Sequence, residues 1–452
     1  MVTAQTAFTL LQKIPLGKGE KWDLFCLKSR VFAAELDGDA KRLKSGCDVG
    51  LGIRFIKNHR VGFAFTTGFE KERVRAAFQK AREMTQSASA DRLADILPPD
   101  KKKLNQRIKK FAGFFPPLKN NNQSDVLDLL GRISRSAALC DRRIFKVPRV
   151  IFEKKQFEIS LGNFGGFWGQ YSQNLFSLVV QAVAKEGNQM QSAFSVFFGK
   201  DLSTLNPEDL GKEAAAKALR KLGAEPVATG RYQIVFEPET GGMMLSLLSG
   251  ALSAEEVIKN RSFLKEKIGR PVASKNFTLI DDGFLKEGLI SAPFDGEGTP
   301  TSRTVLINGG ILKNYFHSTR SARHFKMPAT GNGLRPGYSS LPQATPTNLY
   351  LTPGRLTAEQ LIGQVEQGLL VTELYGLHTA DRVSGSFSLG VEGQLIEKGR
   401  IKRPVKGVVL SGKLDEFLKK VVAVALDLKF FLFDVCVWAP HFLVADLNVS
   451  GC

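Results

Sequence analysis

The chain has 452 residues, enough for two or three domains, each long enough to bury a core. Hydrophobic residues make up 43% and charged residues 24%, as in ordinary globular proteins, and the net charge of +19 favours nucleic acid, an anionic membrane or an acidic partner. Five scattered cysteines (Cys26, Cys47, Cys140, Cys436, Cys452), odd in number and never spaced C-x-x-C, fit a reducing compartment with buried thiols better than a disulfide framework or a zinc knuckle.

Near the start, Thr3, Gln5, Thr6 and Gln12 interrupt any apolar signal core. Strands are expected at Val31 to Leu36 and Gly50 to Phe65, the second folded into a hairpin at Asn58-His59. Val74, Ala77, Phe78 and Ala81 recur at helical spacing within Glu70 to Met84. Lys101, Lys102, Lys103, Arg107, Lys109 and Lys110 then form a basic run between Pro98-Pro99 and Pro116-Pro117, followed by Asn120 to Asn122. It reads as a solvated, mobile linker. Ser124 is the expected cap of a helix to Leu139, and strands at Val150 to Leu161 and Leu175 to Val183 bracket a turn at Gly162 to Gly169.

The clearest helix starts at Asn206 as N-cap with Pro207 at N1, carries the stripe Leu210, Ala214, Ala218 and Leu222, and stops at Gly223. Beyond Ala228 to Gly230 the pattern changes. A strand at Tyr232 to Phe236 and a small apolar helix at Gly241 to Gly250 precede a capping box at Ser253-Ala254-Glu255-Glu256. A tight hairpin turns at Asn308-Gly309, and Thr357 with Gln360 caps a helix to Gly368. Further strands and the segment Leu414 to Ala425 close the chain. Val421 to Val444 is the most apolar stretch, but Asp427, Lys429 and Asp434 break it, short of the ~20 apolar residues a membrane helix needs. The thirty-three phenylalanines read as core filler.

The expected fold class is α+β. An N-terminal mixed α/β domain comprises 1–97, a basic Pro/Asn-rich linker at 98–123 and a second part at 124–228. A mostly antiparallel barrel- or sandwich-like domain with a few helices follows at 229–452.

Catalytic signatures are sparse. A metallohydrolase needs three ligands around an open position. None of His59, His317, His324, His378 and His441 has a histidine three to five residues away. His317 and His324, on one helix, would stand about 10 Å apart along its axis. No G-x-S-x-G elbow or phosphate loop occurs. Asp295-Gly296-Glu297-Gly298 offers two carboxylates, as paired acids in a strand or, with its glycines, as a turn.

Gly50-Leu51-Gly52-Ile53-Arg54 with Arg60-Val61-Gly62-Phe63 resembles the opening of the TldD/PmbA proteins, formerly called modulators of DNA gyrase. Gly211-Lys212-Glu213-Ala214-Ala215, Ser291 to Gly298, Ser321-Ala322-Arg323, Thr330-Gly331-Asn332, Gly368 to Val371, Gly385 to Gly390 and Ile396 to Ile401 continue the resemblance in the family's order. The sequence departs from it at Thr379-Ala380-Asp381, where the family has an asparagine, and in the basic run.

The resemblance implies more. TldD-type members carry H-E-x-x-x-H and a later cysteine as zinc ligands; PmbA/TldE-type members lack them and partner TldD in a heterodimeric peptidase. The positions resembling the family's His, Glu and His are Ser246, Leu247 and Ala251, and no cysteine lies near Gly385 to Gly390. The expectation is a PmbA/TldE-like cytoplasmic subunit with no catalytic residues or cofactor of its own. Zinc would be held by a TldD-type partner, and the substrate would be a peptide or unfolded segment; a homodimer is the other assembly considered. Asp295, Glu297 and Arg303 are candidates for peptide or partner contact. The competing expectation is a stand-alone basic protein that binds nucleic acid or an acidic partner, although no nucleic-acid motif accompanies the charge.

Overall fold

The computed structural model describes residues 3–38, 40–115 and 122–451. Its first half is built on one antiparallel sheet of β1 (Glu20–Asp37), β2 (Ala40–Lys57), β3 (Arg60–Thr67), β4 (Ile144–Asn163), β5 (Trp168–Glu186) and β6 (Gln189–Gly199), in the order β3-β2-β1-β4-β5-β6. At the β2–β3 hairpin Asn58 and His59 take φ of 51° and 62°, as the two-residue turn between right-twisted strands requires.

Side chains alternate along β1 and divide two environments. Trp22, Leu24 and Cys26 pack with Phe55 and Phe78 under α1 (Ala4–Gln12) and α2 (Lys71–Ser87). Further along the sheet, Phe152, Leu178 and Val180 are covered by two more helices, numbered below as α4 and α5. Phe25 faces the other way, joining Leu161 and Phe167 against Leu104 and Phe294 from later in the chain.

The expected linker departs from its reading. Lys101–Ala112 is a helix, α3, capped by the Asp100 carboxylate, which accepts the Lys103 N–H at 3.1 Å. Leu104 and Phe111 are buried with Arg107 between them, so one face every seven residues points inward while the lysines face solvent. Arg107 donates to the Pro293 carbonyl at 3.1 Å and to that of Thr301, and its guanidinium lies 3.8 Å from the Phe284 ring centre. Phe111 meets Phe114, Phe115, Tyr171 and Phe284. The basic run is therefore a strap fastened to both halves; its last part, residues 116–121, lies outside the described residues, as does Cys452.

α4 (Gln123–Ala138) takes its cap from Asn122 rather than Ser124. α5 (Pro207–Leu219) starts as expected, with the Asn206 side chain accepting the N–H groups of Glu208 and Asp209, and ends before Gly223, whose φ is 74°.

The second half opens with β7 (Gly230–Phe236), α6 (Pro238–Ser246), α7 (Leu248–Ala251) and α8 (Ala254–Ile258), so the single expected apolar helix is interrupted at Leu247. Then come β8 (Leu279–Asp282), β9 (Arg303–Asn308), β10 (Ile311–Leu312), α9 (Thr319–Phe325), β11 (Gly333–Leu334), β12 (Gln343–Ala344) and β13 (Asn348–Leu351). The chain ends with α10 (Ala358–Ile362), β14 (Gln367–Tyr375), β15 (Ser386–Glu397), β16 (Arg400–Lys413), α11 (Leu414–Lys419), β17 (Val421–Val424), β18 (Lys429–Leu432), β19 (Cys436–Ala439) and β20 (Phe442–Ser450).

Strands β16-β15-β14-β7-β20 form a ring closed by pairing of β16 with β20, with β17 added on β20. A second sheet runs β10-β9-β8-β13-β19-β18. Pairing in both is antiparallel except β7 with β14 and β13 with β19, so the fold is α+β with the expected mostly antiparallel second half. Phe236, Phe417 and Phe442 meet in the ring's core. Ten phenylalanines rank among the largest fully buried side chains, which supports the core-filler reading.

Local signals shift in three places. The β9–β10 turn falls on Gly309-Gly310, because Asn308 pairs with Ile311. Ser253 donates its hydroxyl to the Ala344 carbonyl instead of capping α8. The Thr357–Gln360 box forms, but α10 stops at Ile362 because Gly368 belongs to β14. Among the described residues no helix is long and apolar enough to cross a membrane, and 421–444 fold as strands.

If α3 is a strap, Phe111→Ala should lower stability by about 3–5 kcal/mol. Lys102→Ala should change it by less than about 0.5 kcal/mol, both read from urea unfolding followed by tryptophan fluorescence.

Candidate functional site

Where the first sheet meets the second half, four charged side chains are buried together. Arg54 donates through Nε to Asp23 Oδ2 at 2.9 Å and through Nη1 to Glu297 Oε1 at 2.9 Å. Arg335 donates through Nη2 to Asp23 Oδ1 at 2.6 Å and through Nε to the Gly296 carbonyl at 2.8 Å. The other Glu297 oxygen accepts the Thr319 N–H at the start of α9, at 2.7 Å. Two cations face two anions, each less than a tenth exposed. Burial alone would raise the Asp23 carboxyl, but the two guanidinium charges hold it below its ordinary value. Asp295, pushed up to about 7 by burial and then by the neighbouring Glu297 charge, is held by the N–H groups of Glu297, Thr299 and Gly333.

The sequence shapes this junction with small residues. A Cβ on Gly52 would lie 2.1 Å from the Tyr338 carbonyl, and one on Gly50 would lie 2.5 Å from the Tyr338 ring. Gly62 admits α2, where a Cβ would stand 1.9 Å from the Ala81 carbonyl. The Gly-x-Gly-Ile-Arg pattern is thus a docking surface: the glycines admit the partner loop, and Arg54 locks it. Asn332 joins Thr330 to buried Asp281, which also accepts the Thr347 N–H at 2.7 Å.

Beside the charged cluster lies a cleft of about 660 Å³, lined by Arg54 and Glu297, by Asp91 and Asp95 of the first half, and by Ser249 and Gly250 of α7 among others. Arg320 crosses it, bonding Asp91 and Glu255 at 2.6 Å each. Asp95 accepts from Lys21 at 2.6 Å and from Arg323.

The sequence-selected residues fall in different places. Asp295 and Glu297 come together in a turn, since Asp295 Oδ1 accepts two following N–H groups and Gly298 has φ 86°. Their carboxylates are engaged within the chain, and Arg303 is exposed at the start of β9. Asp23 and Arg335 were not singled out. The signal for Asp23 is one carboxylate in the otherwise apolar Trp22 to Cys26; Arg335 has none nearby.

The donor set does not suit zinc. Ser246 donates its hydroxyl to the Met243 carbonyl at 2.7 Å, while Leu247 and Ala251 are apolar and buried. Among the described residues no group of three or more His, Cys, Asp or Glu is placed to hold a metal ion. His441 is bonded to Asp427 at 2.6 Å, and His317 is buried against Phe325 and Tyr315, with neither ring nitrogen partnered among the described residues.

Two predictions follow the geometry. Arg54→Met should cost about 3–5 kcal/mol by leaving buried Glu297 without its cation and Asp23 with one instead of two, whereas Arg231→Met at the exposed Arg231–Asp446 pair should cost under about 1 kcal/mol, by chemical denaturation. Burial lowers His317 from 6.5 to about 4. Between those values the unfolded chain binds more protons, so stability is full above about pH 6.5 and falls as pH drops towards 4. His317→Phe should flatten that fall, read as Tm between pH 8 and pH 4.5.

Family models described as PmbA/TldA metallopeptidase domain 1, central domain and C-terminal domain match residues 22–85, 116–222 and 229–451. The whole of α3 falls between the first two matches. The chain is 26% identical over 395 residues to the Metalloprotease PmbA of Escherichia coli O157:H7, covering 87% of this chain and 84% of that one. It is 28% identical over 394 residues to a Metalloprotease TldD homolog of Buchnera aphidicola subsp. Acyrthosiphon pisum, covering 84% and 80%. The crystal structure of a putative modulator of a DNA gyrase from Thermotoga maritima superposes with a TM-score of 0.85 at 26% identity, covering 99% of each chain. TldE from Thermococcus kodakarensis shares the fold, with a TM-score of 0.84 at 23% identity over 95% of this chain and 97% of that one. Overall identity does not separate the TldD-named from the PmbA-named relatives, but three models in order over most of the length show that this chain belongs to the PmbA/TldD metallopeptidase family.

Proposed function

We propose that this chain is the PmbA/TldE-like, non-catalytic subunit of a two-chain metallopeptidase whose zinc is held by a TldD-type partner. The observation that carries this reading is the chemistry at Ser246, Leu247 and Ala251, set on α6, the turn after it and α7, beside the cleft. A hydroxyl already bonded to a backbone carbonyl and two buried apolar side chains supply neither the metal ligands nor the general base that the family's H-E-x-x-x-H provides. The subunit's part is then to complete the wall around the partner's metal and to help hold an extended peptide through main-chain hydrogen bonds. The free thiols of Cys26, Cys47, Cys140 and Cys436 fit a cytoplasmic setting.

Co-expressed with a TldD-type chain from the same cell, the protein should co-purify as a stable complex with chelator-sensitive peptidase activity. Alone it should carry no stoichiometric zinc and no such activity. Failure to form any complex, or zinc-dependent peptidase activity of the isolated chain, overturns the assignment.

A further inference from the structure

The helices of the first half cover only the two ends of one face of its sheet. α1 and α2 lie over Trp22, Leu24 and Cys26, and α4 and α5 lie over Ala34, Phe152 and Leu178. Between these ends the same face of β1 carries Lys28 and Arg30, because alternate residues of a strand share a side. The register sets Arg30 between Cys47 and Gln156 and, in the next row, Phe32 between Ser45 and Lys154. The gap is a cavity of about 800 Å³, within the range of small-molecule sites, bordered at one end by Asn122, Gln123 and Val126 at the start of α4. It shares no lining residue with the cleft.

Several charges on this sheet are met by a neighbour: Lys28 by Glu158 at 3.4 Å, Lys155 by Glu153 at 2.6 Å and Arg149 by Glu35 at 2.9 Å. Arg30 and Lys154 have no such pair among the described residues, and the lining of the cavity holds both of them and no carboxylate. They stand diagonally across β1 and β4, about 7–8 Å apart at the backbone, so two long side chains can reach one group between them. Lys154 Nζ lies 5.7 Å from the centre of the Phe176 ring, and burial alone lowers its ammonium below the ordinary value. Residues 116–121, which precede Asn122 and lie outside the described residues, contain no carboxylate. Like charges held this close repel until an anion joins them. Phe32, Phe152 and Val126 add an apolar wall on the α4 side. We propose that this cavity binds a small molecule with an apolar ring and a doubly charged phosphate group, the ring against Phe32 and Phe152 and the phosphate between Arg30 and Lys154. The site needs neither metal nor partner, so it stands or falls apart from the subunit assignment.

The test titrates the full chain with 1-naphthyl phosphate in a calorimeter, at about pH 7.5 and about 0.05 M NaCl. 1-Naphthol lacks the anion, inorganic phosphate lacks the ring and 1-naphthoate carries a single charge, so each should bind at least about fivefold more weakly. Two thiols report where the ligand sits. Cys47 lines the cavity and is exposed, and Cys140 is exposed past the other end of α4, roughly 24 Å away. Bound 1-naphthyl phosphate should slow iodoacetamide labelling of Cys47 severalfold and leave Cys140 unchanged, read by peptide mass spectrometry. The double variant Arg30→Glu/Lys154→Glu should lose the phosphate ligand and bind 1-naphthylmethylammonium instead, a gain that a misfolded chain cannot produce. No binding of 1-naphthyl phosphate up to about 1 mM overturns the proposal. So does equal binding of 1-naphthol or 1-naphthoate, unprotected Cys47, or a double variant that keeps the phosphate ligand.

Discussion

The pairing of Asp23 and Glu297 with Arg54 and Arg335 is the constraint around which the molecule is arranged. Withdrawing a charge from water costs several kcal/mol, and the cost is offset only when each ion meets its partner with good geometry. Neither half completes the cluster alone: Asp23 and Arg54 pair on the first sheet, but the second partner of each, Arg335 and Glu297, stands on a loop of the second half. The surrounding features follow from that need. Glycines at 50 and 52 let the Tyr338 loop come close enough, α9 begins where Glu297 accepts its N–H, and α3 straps the far side with Arg107. The cleft is what remains open beside this fixed seam.

Much of the local structure was legible because its causes are local. The Asn58-His59 turn and α5, with its cap, proline and stop, depend on neighbours within a few residues. The strap was missed for a specific reason: lysines fill its solvent face and hide Leu104 and Phe111, although their spacing is helical and Asp100 caps them. The strands are also longer than expected, since Ala40 to Asp48 is exposed and shows no apolar alternation. The site was legible only in part. The family marks gave Arg54, Asp295 and Glu297, but their meaning lies in Asp23 and Arg335, which are separated by 312 residues. No window of sequence carries that pairing.

α6 now has two neighbourhoods. Its N-terminal end, at Pro238 and Glu239, borders a cavity lined by phenylalanines, and the short helix after it borders the cleft. The segment packs the second half's core, with Met244, Leu245, Leu247 and Leu248 buried in one cluster. Leu247 and Ala251 suit that buried setting better than unmatched polar groups would.

The separation of Asp23 from Arg335 also sets a timetable for synthesis. Translation at roughly 5–20 residues per second leaves about 15–60 s between the appearance of one and the other. Once β6 is complete at Gly199, the growing chain holds a sheet whose Phe25, Leu161 and Phe167 face has Leu104 over it but not yet Phe294, and whose Asp23 has only one of its two cations. The first half must wait on the ribosome as a sticky, half-neutralised surface. The lysines of α3, which emerge early in that wait, supply like charges that keep one nascent chain from its neighbour.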